Sequence, residues 1–171
     1  VDAFIKMTVT AMGFKDIKNG VAYWAEPFIA KAKELFLVFD GEFARYDRPI
    51  TRAEMARIIV RALDIEYPEN LEEYSGLIGD YSSIDETYKA FIVKAYYMGI
   101  LTGYTDTTFR GNSTAARSEA ATIIMRLIDP SKRVTPVLPD GETDMSGGDL
   151  YLYEINEKRF AKVQTTHPEL I

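Results

Sequence analysis

The chain has 171 residues, of which 47% are apolar and 12% aromatic, so it can build a hydrophobic core and is not an intrinsically disordered chain. Its net charge of −6 argues against nucleic acid and against an anionic membrane as the main partner. It contains no cysteine, which excludes disulfides, thiol nucleophiles and cysteine-bound metals. The longest apolar runs are far shorter than a membrane span, so no membrane insertion is predicted.

In chain order, hydrophobic periodicity predicts helices at 1–12, 22–37 and 51–64, with loops at 13–21 and 38–50. An acidic connector at 65–84, with a short helix near 71–77, leads to further helices at 85–99 and 116–128 around a loop at 101–115. After Pro130 the composition shifts to Pro, Gly, Ser, Thr and Asp, which predicts a linker at 130–149. Residues 150–163 allow either a short β-hairpin or a short helix.

Two of these helices begin with related tetrapeptides. Residues 51–54, Thr-Arg-Ala-Glu, form a capping box in which the Thr and Glu side chains satisfy free backbone N–H groups. Residues 116–119, Ala-Arg-Ser-Glu, lack the Thr hydroxyl, and Ser113 or Thr114 is the candidate replacement cap. Because a cation in the first turn opposes the helix dipole, Arg52 is better explained by a ligand or by a carboxylate of a neighbouring unit.

The similarity extends over two whole segments, 14–65 and 78–129, which are copies of one unit. Their offset drifts only from 64 to 65 positions and pairs Asp16 with Asp80, Trp24 with Tyr88, Arg52 with Arg117 and Glu54 with Glu119. Residues 1–13 match the end of the unit at an offset of 51, which predicts a partial third copy. Such repetition indicates one supersecondary unit stacked around a shared core, and more often a binding surface than a reaction centre.

An ordered set of motifs recurs in the two copies. The first copy carries Phe14-x-Asp16, Trp24-Ala25 and the Thr-Arg-Ala-Glu helix start; the second carries Asp80, Gly103-Tyr104-x-Asp106 and Arg117-x-Glu119. This set resembles the S-layer homology family over residues 1–129. The resemblance implies an all-α fold in which tandem helix-loop-helix repeats form a pseudo-threefold bundle with grooves between them. The implied domains are 1–129, a linker at 130–149, and an appendage or the start of another domain at 150–171.

The resemblance also implies a function: non-enzymatic anchoring at the bacterial cell surface or cell wall, without a cofactor. Members of the family bind a pyruvylated secondary polysaccharide linked to peptidoglycan. An Arg fork suits the pyruvyl carboxylate, and aromatic rings suit the apolar faces of sugars. By match to the family's motifs, the groove residues are Asp16, Trp24, Arg52, Glu54, Asp80, Tyr88, Gly103, Tyr104, Asp106, Arg117 and Glu119.

Departures from the family pattern keep other interpretations open. Residues 38–49 lack the Gly-Tyr-x-Asp-Gly-x-Phe loop, Phe36 or Leu35 replaces its preceding Gly, and Val1 occupies the Arg position of the partial repeat. A degenerate scaffold is the alternative: it would bind itself or another surface protein, or take part in surface-layer self-assembly, without binding glycan. A helix-turn-helix DNA binder, prompted by the arginines of 51–64, is disfavoured by the acidic charge.

Some candidates also have structural explanations. Asp16 and Asp80 fit turns held by Asx hydrogen bonds, and Trp24 and Tyr88 fit the apolar core, whereas Tyr104 in its loop is the better sugar platform. Solvated helix faces are predicted for Arg57, Arg61, Arg126 and Lys94. An EF-hand-like run at 140–151 lacks the Gly and the final Glu of a calcium loop, so no metal site is predicted.

Overall fold

A computed structural model describes residues 1–63, 67, 70–134 and 136–138. These residues form α-helices α1 (Asp2–Ala11), α2 (Glu26–Glu34), α3 (Arg52–Ala62), α4 (Glu86–Tyr97) and α5 (Arg117–Ile128). Short 3-10 helices occupy Leu71–Leu77, Tyr81–Ser83 and Pro130–Lys132, and the described ranges contain no β-strand. The all-α prediction is confirmed, while the hairpin predicted at 150–163 and the calcium-like run lie outside the described residues.

The predicted helix at 22–37 is too long at both ends. The Gly20 N–H bonds the Trp24 carbonyl at 3.1 Å and the Glu26 N–H bonds the Tyr23 carbonyl at 3.1 Å, so this segment forms turns. The helix α2 therefore begins at Glu26, with Pro27 in its first turn, where a missing N–H costs little. The other predicted α-helices are confirmed with end shifts of one or two residues.

Both α2 and α4 end in a left-handed backbone conformation. Gly99 has φ +64° after α4, and Phe36 has φ +57° at the matching point after α2. The chain then bonds back in the same way, from Leu37 N–H to Ala32 O at 2.8 Å and from Ile100 N–H to Ala95 O at 3.2 Å. The first repeat thus keeps the turn although it has lost the Gly that adopts this conformation without strain.

The core is built by helices of successive repeats. The helix that ends one repeat packs against the helix that begins the next: α2 on α1, and α4 on α3. In addition, α1 contacts both α3 and α5, as the pseudo-threefold arrangement requires. The fully buried apolar side chains along these contacts include Phe4, Ile5, Val9, Met55, Ile58, Ile59 and Ile92.

The starts of α1 and α3, two of the helices that end a repeat, also dock on the loop of the following repeat. The Ala53 N–H donates to the Gly111 carbonyl at 3.0 Å, and the Asp2 N–H donates to the Tyr46 carbonyl at 2.9 Å. The two bonds are related by the offsets of 51 and 65 positions found in the sequence. The repeat boundaries at 13, 65 and 78 remain predictions, but the contacts between repeats recur at equivalent atoms.

The capping difference between α3 and α5 gives a stability prediction. Thr51 accepts from the Glu54 N–H at 3.3 Å and Glu54 accepts from the Thr51 N–H at 2.9 Å, which confirms the box. At α5, Glu119 accepts from the Ala116 N–H at 2.8 Å, but no side chain caps the helix, so neither Ser113 nor Thr114 replaces the hydroxyl.

We expect Ala116→Thr to raise the free energy of unfolding by about 1 kcal/mol, since the extended backbone at Ala116 matches that at Thr51. The matched change Thr51→Ala should lower it by about 1 kcal/mol. Urea unfolding followed by circular dichroism measures both. A destabilising Ala116→Thr would show that the missing hydroxyl is not what limits the start of α5.

Candidate functional site

Arg52 lies at the centre of the contact between the two full repeats. Its Nε donates to the Phe109 carbonyl at 2.8 Å, its Nη2 to the Thr102 carbonyl at 2.8 Å, and its Nη1 to the Glu119 carboxylate at 2.5 Å. The residue is only 5% exposed. All three nitrogens of its guanidinium group therefore form hydrogen bonds within the protein. Arg52 thus stabilises the contact between the two repeats, whether or not it also binds a ligand.

A cavity of about 280 Å³ opens beside this arginine, and we call it the Arg52 cavity. Its lining combines the start of α3, the loop after α4 and one side of α5 from its first turn to its last. The polar and aromatic members are Arg52, Thr102, Tyr104, Ser118, Glu119, Thr122 and Arg126. Together with Gly103, four residues predicted as glycan ligands thus come together from two repeats. The cavity has cationic side chains at Arg52 and Arg126 and one carboxylate at Glu119.

Tyr104, the predicted sugar platform, is already covered by cations. The guanidinium carbons of Arg52 and Arg110 lie 4.7 and 4.4 Å from its ring centroid. Its hydroxyl lies 3.4 Å from Glu119, and the residue is 37% exposed. A sugar ring can stack on Tyr104 only where these guanidinium groups leave part of the ring open, or by displacing the more exposed Arg110.

Asp106 organises the loop that carries Tyr104. Its carboxylate accepts from the Thr108 hydroxyl at 2.6 Å, from Arg110 at 2.6 Å and from the Thr108 N–H at 3.1 Å. These bonds to Thr108 and Arg110 lower the pKa of Asp106 to about 2. Asp106 is therefore ionised at neutral pH and held within its own loop, where it lines neither described cavity.

Gly103 has a steric role. A Cβ at this position would lie 2.3 Å from the Tyr96 hydroxyl, closer than side chains tolerate. That hydroxyl is buried and has no hydrogen-bond partner among the described residues, and burial raises the pKa of Tyr96 to about 12. The close approach of the loop backbone to Tyr96 explains the glycine without a ligand.

A second cavity of about 260 Å³, the Asp80 cavity, is lined by Asp80, Ser83, Asp85, Tyr88, Arg110, Asn112 and Ser113, among others. Asp80 accepts from the Phe109 N–H at 2.6 Å and the Arg110 N–H at 2.8 Å. It therefore fastens the loop across the repeat, rather than closing an Asx turn. Tyr88 lies 4.6 Å from the Arg57 guanidinium.

The first repeat does not assemble a matching set. Asp16 is exposed and makes no hydrogen bond within the described residues. Trp24 is half-buried between Tyr23 and Phe28, with Lys6 Nζ 5.5 Å from its ring. These residues line neither described cavity. The absent Gly-Tyr-x-Asp-Gly-x-Phe loop explains the difference, because the second repeat uses that loop to hold Asp80.

Glu54 and Arg117 also lie outside both cavities. Glu54 pairs with Arg48 at 2.6 Å; burial opposes its charge, but the bonds to Arg48 and Thr51 prevail and lower its pKa. Arg117, the counterpart of Arg52, is exposed, and its side chain has no ion pair or hydrogen bond in the described part of the chain. Of the two predicted anion-binding arginines, the paired one lines a cavity and the unpaired one faces solvent.

The sequence analysis missed an ionic cluster on α3. Glu42 lies 2.8 Å from Arg57 and 2.7 Å from Arg61, and its side chain is 9% exposed. The Arg57 contact is an ion pair without hydrogen-bond geometry, since Arg57 Nε remains unsatisfied. The prediction that these arginines face solvent is wrong, because the rings of Phe39, Phe43, Tyr88 and Phe91 cover them. The aromatic residues of 38–50 and the carboxylates of the same loop, Asp40, Glu42 and Asp47, were the available signals.

Arg126 and Lys94 depart from the same prediction. Both are half-buried: Arg126 donates to the Ile100 carbonyl at 3.1 Å, and Lys94 Nζ lies 4.4 Å from the Tyr67 ring. Arg126 and Arg61 occupy matching places, since Arg61 donates to the Leu37 carbonyl at 3.1 Å. Each repeat thus uses an arginine of its ending helix to hold the turn after its beginning helix.

The second repeat, which contributes most of the Arg52 cavity, is also the part of the chain that a family model recognises. The model of the S-layer homology domain matches residues 78–121. The chain contains an S-layer homology domain. Its helical structure and its repeated docking contacts agree with that assignment, and the resemblance inferred from the sequence is confirmed.

Curated relatives match a longer part of the chain than the family model does. The chain is 33% identical over 124 residues to exoglucanase XynX of Acetivibrio thermocellus, covering 71% of the chain and 11% of the relative. An endoglucanase of Bacillus sp. strain KSM-635 is 34% identical over 123 residues, with 67% and 12% covered. The middle cell wall protein of Brevibacillus brevis is 32% identical over 101 residues, with 59% and 9% covered.

The chain therefore spans about a tenth of the length of these relatives. The enzyme names belong to whole proteins, whereas the S-layer homology domain itself is a non-catalytic module. The relatives include a cell wall protein and a surface layer protein, which agrees with the predicted cell-surface location and indicates cell-wall anchoring. No solved structure matches the chain. None of the described helices is long and apolar enough to cross a membrane.

Proposed function

We propose that this chain is a non-covalent cell-wall anchor, without catalytic activity, that binds a pyruvylated secondary polysaccharide in the Arg52 cavity. The observation that carries the proposal is the convergence of Arg52, Gly103, Tyr104 and Glu119, from two repeats, on one cavity. A guanidinium, an aromatic ring and a hydroxyl-lined wall are suited to an acidic sugar. The bacterial cell surface is the location that this function requires.

Binding of a carboxylate at Arg52 has to compete with Glu119. Two donors of Arg52 point at backbone carbonyls, and the third is held by the Glu119 carboxylate. Glu119 is 29% exposed in its side chain, so it can turn toward solvent while a ligand carboxylate takes its place on Nη1. Glu119 thus makes the cavity selective. Only an anion whose hydrogen bond to Arg52 is at least as favourable as that of Glu119 displaces it.

Calorimetric titration with purified pyruvylated wall polysaccharide tests this function. We expect Glu119→Gln to bind roughly tenfold tighter than wild type, which is about 1.4 kcal/mol, because the amide keeps the helix-cap acceptor but no longer competes as an anion. Glu54→Gln is the matched control, since Glu54 makes the same backbone cap in the other repeat and lies outside both cavities.

Two results would contradict the proposal. Absence of binding by folded wild type and by Glu119→Gln would leave no glycan function for this cavity. Equal affinity of wild type and Glu119→Gln, with binding intact, would place the glycan elsewhere, and the Asp80 cavity would then be the site to mutate through Tyr88.

The second candidate function is a scaffold that has kept the fold and lost the sugar. The engagement of all three Arg52 nitrogens by Phe109, Thr102 and Glu119 favours it, since each nitrogen already has a partner within the protein. On that interpretation the chain acts through protein–protein contacts, with itself or with another surface protein. A concentration-dependent mass of the wild-type chain, with no polysaccharide binding, is its expected signature.

A further inference from the structure

Arg126 lines the Arg52 cavity from the last turn of α5, although the sequence predicted a solvated helix face for it. Its side chain is half-buried, and its Nη1 donates to the Ile100 carbonyl at 3.1 Å. Its Nε and Nη2 have no partner among the described residues. A guanidinium group has five N–H donors in a fixed plane, so Arg126 can hold this carbonyl and still donate to a ligand in the cavity.

The matching arginine of the first repeat already holds a carboxylate. Arg61 Nη1 donates to the Leu37 carbonyl at 3.1 Å, which is the counterpart of the bond that Arg126 makes. The same nitrogen of Arg61 also donates to both oxygens of Glu42, at 2.7 and 2.8 Å. Since Glu42 lies in the loop of the same repeat, this unit supplies its own counter-ion. The pair shows, within one protein, how an arginine at this position binds a carboxylate.

The carboxylates of the second repeat that lie near Arg126 in sequence or in the equivalent loop bind other groups. Asp106, in the loop that corresponds to 38–50, is held within that loop by hydrogen bonds. Asp129 accepts from the Ser131 N–H at 3.0 Å and from the Ser131 hydroxyl at 2.6 Å. Arg126 forms no ion pair with a described residue, so a half-buried cation faces the cavity. Because burial makes an unpaired charge costly, an anion that enters the cavity is stabilised there.

The helix α5 sets the distance between Arg126 and the other anion-binding position of the cavity. Glu119, which binds Arg52, lies seven residues before Arg126 on the same side of α5, with Thr122 between them. Seven residues correspond to about 10 Å along the axis of an α-helix. One carboxylate is too small to bind at both positions, so a ligand that uses both carries two acidic groups.

We propose that Arg126 is a specificity-determining residue of the Arg52 cavity and binds a second acidic group of the glycan, while the first acidic group takes the place of Glu119 on Arg52. This assignment rests on the proposed function for the presence of glycan in the cavity. It adds the class of ligand, a segment with acidic groups on two of its sugar units. A polysaccharide can supply such a segment, because a substituent of its repeating unit recurs along the chain.

Two fragments of the pyruvylated polysaccharide, equal in length and carrying one or two pyruvyl groups, are the probes. Calorimetric titration of the full 171-residue chain measures both affinities. For wild type we expect the fragment with two groups to bind roughly tenfold tighter, because it makes one more charge-assisted contact. Arg126→Gln should remove this preference, since the amide can still donate to Ile100 but carries no charge. Lys132→Gln is the matched control: it removes the same charge at a nearby exposed residue that lines neither cavity, so the preference should remain.

The preference is a ratio of two affinities of the same variant, so a partly destabilised Arg126→Gln does not mimic the expected result. Circular dichroism checks that each variant is folded. Equal affinities of wild type for the two fragments would overturn the role of Arg126 and leave the proposed function in place, and so would an undiminished preference in Arg126→Gln. Absence of binding of both fragments to folded wild type would overturn the proposed function, and the role of Arg126 with it.

Discussion

Arg52→Ala is expected to lower the free energy of unfolding by about 2–6 kcal/mol, because two backbone carbonyls in the contact between repeats lose their donor, at about 1–3 kcal/mol for each buried group left unpaired. The substitution leaves the carbonyls of Phe109 and Thr102 and the Glu119 carboxylate without their donor. It also removes the cation packed 4.8 Å from the Phe109 ring centroid. Because these groups belong to two repeats, the loss acts on the contact between repeats rather than on α3 alone.

Urea unfolding of Arg52→Ala beside Arg117→Ala measures this effect. Arg117 occupies the same place in its own repeat but is exposed and unpaired in the described structure, so its loss should change stability by less than about 0.5 kcal/mol. Arg52→Lys should recover only part of the loss, since one ammonium cannot reproduce the three-way fork. Equal stability of Arg52→Ala and wild type would show that the guanidinium is free to serve a ligand.

The expected loss of stability in Arg52→Ala also determines which variant can test polysaccharide binding. Loss of polysaccharide binding in Arg52→Ala would be explained as well by a weakened repeat contact as by a lost ligand. Glu119→Gln avoids this ambiguity, because it predicts a gain of affinity, and a damaged fold does not bind more tightly.

Gly99→Ala is the second change with a large expected effect, a loss of about 2–4 kcal/mol in the free energy of unfolding. A Cβ at Gly99 would lie 2.1 Å from the Val134 carbonyl oxygen, which is backbone and cannot rotate away. The residue also has φ +64°, where a side chain adds about 1 kcal/mol of strain. The Val134 N–H bonds the Gly99 carbonyl at 2.9 Å, so the clash also breaks the attachment of the segment after α5.

Gly13→Ala separates the cost of the steric clash from the cost of the backbone strain. Gly13 has φ +101°, and a Cβ there would meet no atom within 4 Å. It should therefore cost only the backbone strain, about 1 kcal/mol. Thermal unfolding of the two variants gives the comparison. Similar losses at Gly13 and Gly99 would mean that the contact with Val134 contributes nothing.

Sequence periodicity predicted the helices because buried positions repeat along each of them, and it failed at α2 because Trp24 extends the apolar stripe into a turn. The capping box was predictable since both partners lie within four residues. The sequence could not predict that Arg52 would be hydrogen-bonded by the protein itself. Two of its acceptors are backbone carbonyls in a distant loop, and a carbonyl is present at every residue, so the sequence carries no signal for it. The offset of the repeats aligned Arg52 with Arg117. It did not show that only Arg52 lies against the loop of a following repeat, with which it forms hydrogen bonds.

The three hydrogen bonds of Arg52 reach across 50, 57 and 67 positions of the chain. In a linear array of repeats, each unit unfolds with little effect beyond its nearest neighbour. Here α1 touches α3 and α5 as well, so the ends of the described chain share one core. The loops between these contacts must close before the contacts form, which slows folding, and the same contacts make the repeats unfold as a single cooperative unit. A pull on either end of the described chain is thus resisted by all of its repeats together, rather than by one repeat at a time.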